Sequence, residues 1–160
     1  MDSRVVYTIG HSNYPLDHFL ALLKKHGIEV LIDIRSQPYS RYVPHFNRES
    51  LQKILPQSGL HYLSMGEHLG GRPKDPQFYN SEGKVDYTRI AASAAFQEAL
   101  SRLLEEAKEY RAAIMCSEEN PALCHRRFLV GRALLKRGVI LRHIRGDGRV
   151  EEETRQELLL

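Results

Sequence analysis

The sequence predicts an α/β fold: a single-domain three-layer α/β/α sandwich around a mostly parallel sheet of about five strands. Two observations lead there. Five short apolar or β-branched runs alternate with helical patterns of about ten residues or more. The runs at Glu29–Ile34 and Ala112–Met115 are also largely apolar without alternation, as in strands buried on both faces of a parallel sheet. A chain of 160 residues with 42% hydrophobic and 27% charged residues suits one ordinary soluble core. Crossovers should be right-handed, and in such Rossmann-like sheets a site lies at the C-terminal ends of the strands.

The elements follow in order. Val5–Ile9 is the first strand, and Gly10-His11-Ser12-Asn13 breaks it. Ser12 or Asn13 can cap a helix with Pro15 in its first turn, Phe19, Leu20, Leu22 and Leu23 on its core face, and Gly27 as its stop. After the strand Glu29–Ile34 comes a polar, aromatic loop from Arg35 to Phe46. Asn47 then caps a helix over Arg48–Gln57. Leu60–Leu63 is a short third strand, and the stretch from about 65 to 87 has no regular period, as expected of a lid or binding loop. Helical spacing returns from about Arg89 to Lys108, with Phe96, Ala99, Leu100, Leu103 and Leu104 on one stripe. A strand over Ala112–Met115 leads to Asn120 as cap and Pro121 as first residue of a helix reaching about Arg137, stopped by Gly138. The strand Val139–Ile144 and the turn Gly146-Asp147-Gly148 precede a final charged helix, Glu151 to Leu159.

Composition excludes several classes. The net charge of +3 and pI near 8.9 permit an anionic ligand without demanding one. No apolar run approaches the roughly 20 residues that span a bilayer, so no membrane partner is expected. No secretory segment precedes the first strand, which points to a cytoplasmic protein with two reduced thiols. The sequence implies no cofactor. Neither a Cys-x-x-Cys nor a His-x-x-x-His pair argues for a metal. A phosphatase Cys-x5-Arg loop fails, because the arginine position falls on Ala122 from Cys116 and on Val130 from Cys124. Nothing matches GxGxxG or a P-loop, and nothing sets the oligomeric state.

If the sheet is parallel, one edge collects Gly10-His11-Ser12, Asp33 and Arg35, Gly70-Gly71-Arg72, and Cys116-Ser117-Glu118. Each has a structural alternative. Asp33 is a ligand-binding or basic strand-end acid, or a loop cap. Glu118 and Glu119 can act chemically or balance a helix dipole. Arg35, Arg41, Arg72, Arg126 and Arg127 suit a phosphate or carboxylate, or else pair with those acids. Cys124 near the start of its helix is a candidate activated thiol, but it shares a stripe with Phe128, Gly131 and Leu135, which favours a buried apolar residue over a reactive one. Tyr39, Tyr42 and Phe46 beside Arg41 and His45 form a stacking surface for bases, or pin their loop to the core.

Thr8-Ile9-Gly10-His11-Ser12, Asp33-Ile34-Arg35 with Pro38, Ser40 and Arg41, Phe46-Asn47, Leu69-Gly70-Gly71, Met115-Cys116-x-Glu118 and Cys124-His125-Arg126 resemble, in order, the bacterial and archaeal family catalogued as domain of unknown function 488. The resemblance implies a small α/β domain with a polar site and no settled reaction.

Three functions are compatible with these residues. The first is an enzyme acting on a phosphate-bearing ligand, a nucleotide or nucleic acid. There Arg35, Arg41, Arg72 and Arg126 hold the anion, with Ser12, Gly70, Gly71 and His125 as further ligand-binding candidates. His11 with Asp33 or Glu118 moves the proton, and Cys116 lies in the wall. The second is a module binding single-stranded nucleic acid through the loop from Arg35 to His45. The third is a thiol-based enzyme or redox sensor using Cys116 and Cys124.

Overall fold

Six strands form one sheet: β1 (Val5–Gly10), β2 (Val30–Asp33), β3 (His61–Ser64), β4 (Ala112–Cys116), β5 (Ile140–Ile144) and β6 (Val150–Glu153). The structure, a computed structural model, describes residues 4–155, with every side chain except that of Arg126. The strand order is β3-β2-β4-β1-β5-β6. All pairings are parallel except β5 with β6. This departs from the usual doubly wound order 3-2-1-4-5-6 by setting β4 between β2 and β1. Every residue of β2 and β4 is buried, as their apolar runs require.

The two faces carry separate cores. Phe19, Leu22 and Leu23 of α1 (Leu16–Lys25) and Leu51 and Leu55 of α2 (Arg48–Gln57) pack with Tyr7, Ile9, Leu31 and Met115 on one face. On the other, Ile90 of α4 (Tyr87–Ala92), the Phe96 stripe of α5 (Ala94–Glu109) and Leu134 and Leu135 of α6 (Arg132–Lys136) cover Val6, Ile32 and Ile114. The result is the expected three-layer α/β sandwich. The left-handed Gly27 (φ +66°) and Gly138 (φ +83°) end their helices as expected.

Several local expectations are overturned. Neither Ser12 nor Asn13 caps α1, whose cap position is Pro15. Asn47 sits at the cap of α2, but its Oδ1 accepts from Ser40 N at 2.7 Å instead and braces the preceding loop. The stretch 65–87 is not wholly irregular: it holds α3 (Gly66–Leu69), a 3-10 turn at Pro76–Phe78 and a bridge between Tyr79 and Val85. The pattern over Arg89–Lys108 is two helices, because Ser93 turns extended and its hydroxyl accepts from Phe96 N as the cap of α5.

The span Pro121–Arg137 is not one helix. It is a 3-10 turn (Pro121–Leu123), an extended Cys124, a π-helix (Arg126–Gly131) and then α6. Finally, Glu151 does not start a helix. Gly148 (φ +89°) closes a tight turn, Arg145 N donates to Arg149 O at 2.8 Å, and β6 returns along β5. The remainder of that expected helix, beyond Arg155, lies outside the described residues.

Candidate functional site

Parallel pairing sets the C-terminal ends of β1, β2 and β4 side by side. Beyond β1 the ladder continues into the loop after β4: His11 N donates to Cys116 O at 3.0 Å and Ser12 N to Ser117 O at 2.8 Å. The approach is so close that a Cβ on Gly10 would lie 1.6 Å from Glu118 O, so only glycine fits. Ser12 takes φ +47° to turn away from this contact.

Beneath the edge lies a buried polar cluster. Asp33, fully buried, holds Arg35 as a bidentate pair, with Nε to Oδ1 at 2.8 Å and Nη2 to Oδ2 at 2.7 Å. Arg35 Nη2 also donates to Phe46 O at 2.7 Å, and Tyr62 Oη donates to Asp33 Oδ2 at 2.5 Å. Burial, reinforced by that carboxylate, pushes the Tyr62 phenol well above its ordinary value.

The His11 ring stacks on Phe46, with ring centres 4.7 Å apart. Its neighbours dictate the tautomer. Ser12 O can only accept, so Nδ1–H donates to it at 2.7 Å; a guanidinium can only donate, so Nε2 accepts from Arg35 Nη1 at 3.2 Å. The ring is neutral: burial, with the Arg35 charge adding to it, holds His11 down to about 4.

Above this cluster opens a cleft of about 740 Å³. Arg35, Ser36 and Gln37 form one wall, and Cys116, Ser117 and Glu118 another. Gly71, Arg72, Tyr79, Lys84 and Tyr87 come from the long loop, and Leu123, Cys124 and His125 from the turn after β4. Cys116 and Cys124 are nearly inaccessible, and their sulfurs meet as a pair. Their Cα atoms are 7.3 Å apart, just beyond the roughly 4.4–6.8 Å that disulfides ordinarily span.

Cys116 Sγ also lies 3.6 Å from Glu118 O, and Cys124 Sγ 3.7 Å from His125 Nδ1. His125 Nε2 is 2.9 Å from Ile34 O, which can only accept, so Nε2 carries a hydrogen and Nδ1 is the nitrogen facing sulfur. Gly71 leaves room for that ring: a Cβ there would lie 2.9 Å from His125 Cβ.

A family model described as Domain of unknown function DUF488 matches residues 15–133. The chain belongs to the DUF488 family. The match spans β2 through β4 and the turn holding Cys124 and His125, and so includes every lining residue of the cleft. No curated protein and no solved structure matches the chain.

The DUF488 cleft gathers six of the residues expected at the site: Arg35, Gly71, Arg72, Cys116, Glu118 and His125. His11 and Asp33, expected to move the proton, are absent from the lining, and their polar atoms are engaged by neighbours. Ser12 and Gly70 support the edge without lining the cleft; a Cβ on Gly70 would meet Ser36 Oγ at 2.1 Å. Arg41 is exposed on its loop, away from the lining. Arg126 follows His125, and its side chain is not described.

Glu119 forms a structural contact, taking a bidentate grip from Arg145 at 2.7 and 2.9 Å that ties this loop to the β5–β6 hairpin. Cys124 does not sit on a helical core stripe; it is extended and turns to Cys116. The helix start expected after Asn120 is only a three-residue turn. Sequence reasoning missed Tyr79, Lys84 and Tyr87 as lining groups, although the length of their loop was the signal. Among the described residues no group of three or more metal-ligating side chains is gathered.

Proposed function

We propose that this DUF488 chain is a thiol-based enzyme in which Cys124 and Cys116 cycle between dithiol and disulfide, acting on a small anionic substrate. One observation carries the proposal: two sulfurs meet in the wall of a cleft, with an imidazole nitrogen 3.7 Å from one of them. The cleft volume is that of a small-molecule site, and Arg72 and Lys84 suit an anionic group on the substrate, a phosphate included.

In the reduced state Cys124 gives its proton to His125 Nδ1, and the thiolate attacks one sulfur of a substrate disulfide. The substrate's S–S bond breaks, and the leaving thiolate takes the proton from the imidazolium. Cys116 then attacks Cys124 Sγ, the mixed disulfide breaks, and the second thiolate leaves with the Cys116 proton. Two electrons and two protons pass to the substrate, and a small thiol or dithiol reductant restores the pair. Proton transfer through His11 and Asp33 gains no support, because both are saturated with fixed partners.

The test is reaction of the pre-reduced protein with the dianionic aromatic disulfide dithiobis-nitrobenzoate. Wild type should release two equivalents of thionitrobenzoate and retain no adduct by mass. Cys116→Ser should release one and keep the mixed disulfide. Cys124→Ser should lose the fast phase, and His125→Asn should slow it tenfold or more. Wild-type kinetics in Cys124→Ser, or a persistent adduct on the wild type, would sink the assignment.

A further inference from the structure

A second surface stands apart from the thiols. From Arg35 to Arg48 the chain carries three arginines and no acidic residue. Arg35 is spent on Asp33, but among the described residues neither Arg41 nor Arg48 has a carboxylate partner. Tyr39 and Tyr42 are 73% and 80% exposed, whereas Phe46 of the same loop is fully buried against His11 and Phe19. Single exposed apolar residues are ordinary; here two exposed tyrosines and an exposed arginine, without a carboxylate partner among the described residues, fall within four positions.

The patch is held in place. Arg48 N donates to Pro38 O at 2.9 Å, Ser40 N to Asn47 Oδ1 at 2.7 Å, and Tyr42 N to Ser40 Oγ at 3.1 Å. The Arg41 guanidinium lies 5.1 Å from the Tyr42 ring centre and donates to its hydroxyl at 3.0 Å. The backbone that carries the aromatics is thus fixed in advance, which lowers the ordering cost of binding. Gln37 lines the cleft, and Tyr39 follows within about 7 Å of chain.

We infer that this loop is a platform for single-stranded nucleic acid, with bases stacked on Tyr39 and Tyr42 and backbone phosphate on Arg41. Planar π-faces beside an arginine, in a segment that carries no acidic residue, complement a base and its phosphate. Duplex DNA offers phosphates but no open base faces, and an acidic peptide offers charge without planar rings.

The experiment measures fluorescence anisotropy of labelled oligothymidylate and oligouridylate of twelve nucleotides with the full chain, against a salt series. At low salt, binding should be measurable, and Tyr39→Ala and Tyr42→Ala should each weaken it about fivefold or more. Arg41→Gln should lower the salt slope by about 0.7. These side chains are exposed, so the variants should keep the wild-type thermal midpoint, and thiol reactivity should be unchanged. No binding, equal binding of the double tyrosine variant, or equal displacement by a blunt duplex or polyglutamate of matched charge would overturn the inference.

Discussion

At the scale of single residues, His11 shows how burial reassigns a functional-looking group. A histidine after a strand end reads as a proton carrier from sequence. Here a carbonyl and a guanidinium occupy its two nitrogens, and it becomes a neutral spacer between the Ser12 turn and Arg35. The linkage has a definite sign. Burial first, and the Arg35 charge with it, lowers the folded value from 6.5 to about 4, so the unfolded chain binds the proton more readily between those limits. The stability from the neutral ring is complete above 6.5 and is lost as pH falls toward about 4, an effect of about 3 kcal/mol. Urea unfolding across that window should show the loss. The His11 ring resonances should titrate near the lower limit; titration near 6.5 would contradict the buried, neutral assignment.

At the scale of elements, the strands were the legible part, because continuous apolar runs report burial directly: β1, β2 and β4 lie within a residue or two of their expected bounds. The turn after β4 was not legible as folded. Its apolar spacing mimics a helix through Cys124, Phe128 and Leu135, but Cys124 is drawn to Cys116 and His125 to Ile34 O, and two tertiary contacts at consecutive residues override helical propensity. Phe128 is left 46% exposed as a result. Gly71 is the other half of this arrangement, since it supplies the room in which His125 sits. Gly71→Ala should displace the ring while the layers stay intact. Its expected signature is a fall of tenfold or more in the fast thiol reaction, with unfolding free energy changed by less than about 1 kcal/mol. Equal reactivity would mean that the His125 position does not matter to Cys124.

At the scale of the whole molecule, the sheet order was the feature that pattern reading could not supply, because β6 hides inside a charged segment. The run Val150-Glu151-Glu152-Glu153 has helical composition, yet its carboxylates meet partners on β5, in the hairpin turn and on the π-helix. Glu152 meets Arg142, and Glu153 enters a buried chain: Thr8 Oγ1 to His143 Nδ1 at 2.6 Å, His143 Nε2 to Glu153 Oε1 at 2.8 Å, and Arg127 Nε to Glu153 Oε2 at 3.2 Å. This chain crosses β1, β5 and β6 and ends on the π-helix that follows His125, so it links the sheet edge to the cleft. A glutamine at 153 keeps one oxygen to accept from His143, but the amide nitrogen that replaces the second oxygen can only donate and would face the Arg127 donor. Glu153→Gln should therefore cost about 1–3 kcal/mol in urea unfolding. The hydrogen bond from His143, then Arg127, holds the Glu153 carboxyl below its ordinary 4.5, so its stabilisation is complete above that value and fades as pH falls through the lower folded one. The wild type should lose more stability over that acid range than the variant, by the Glu153 share. An identical acid profile in the two proteins would show that this buried chain does not tie the edge strand to the rest of the fold.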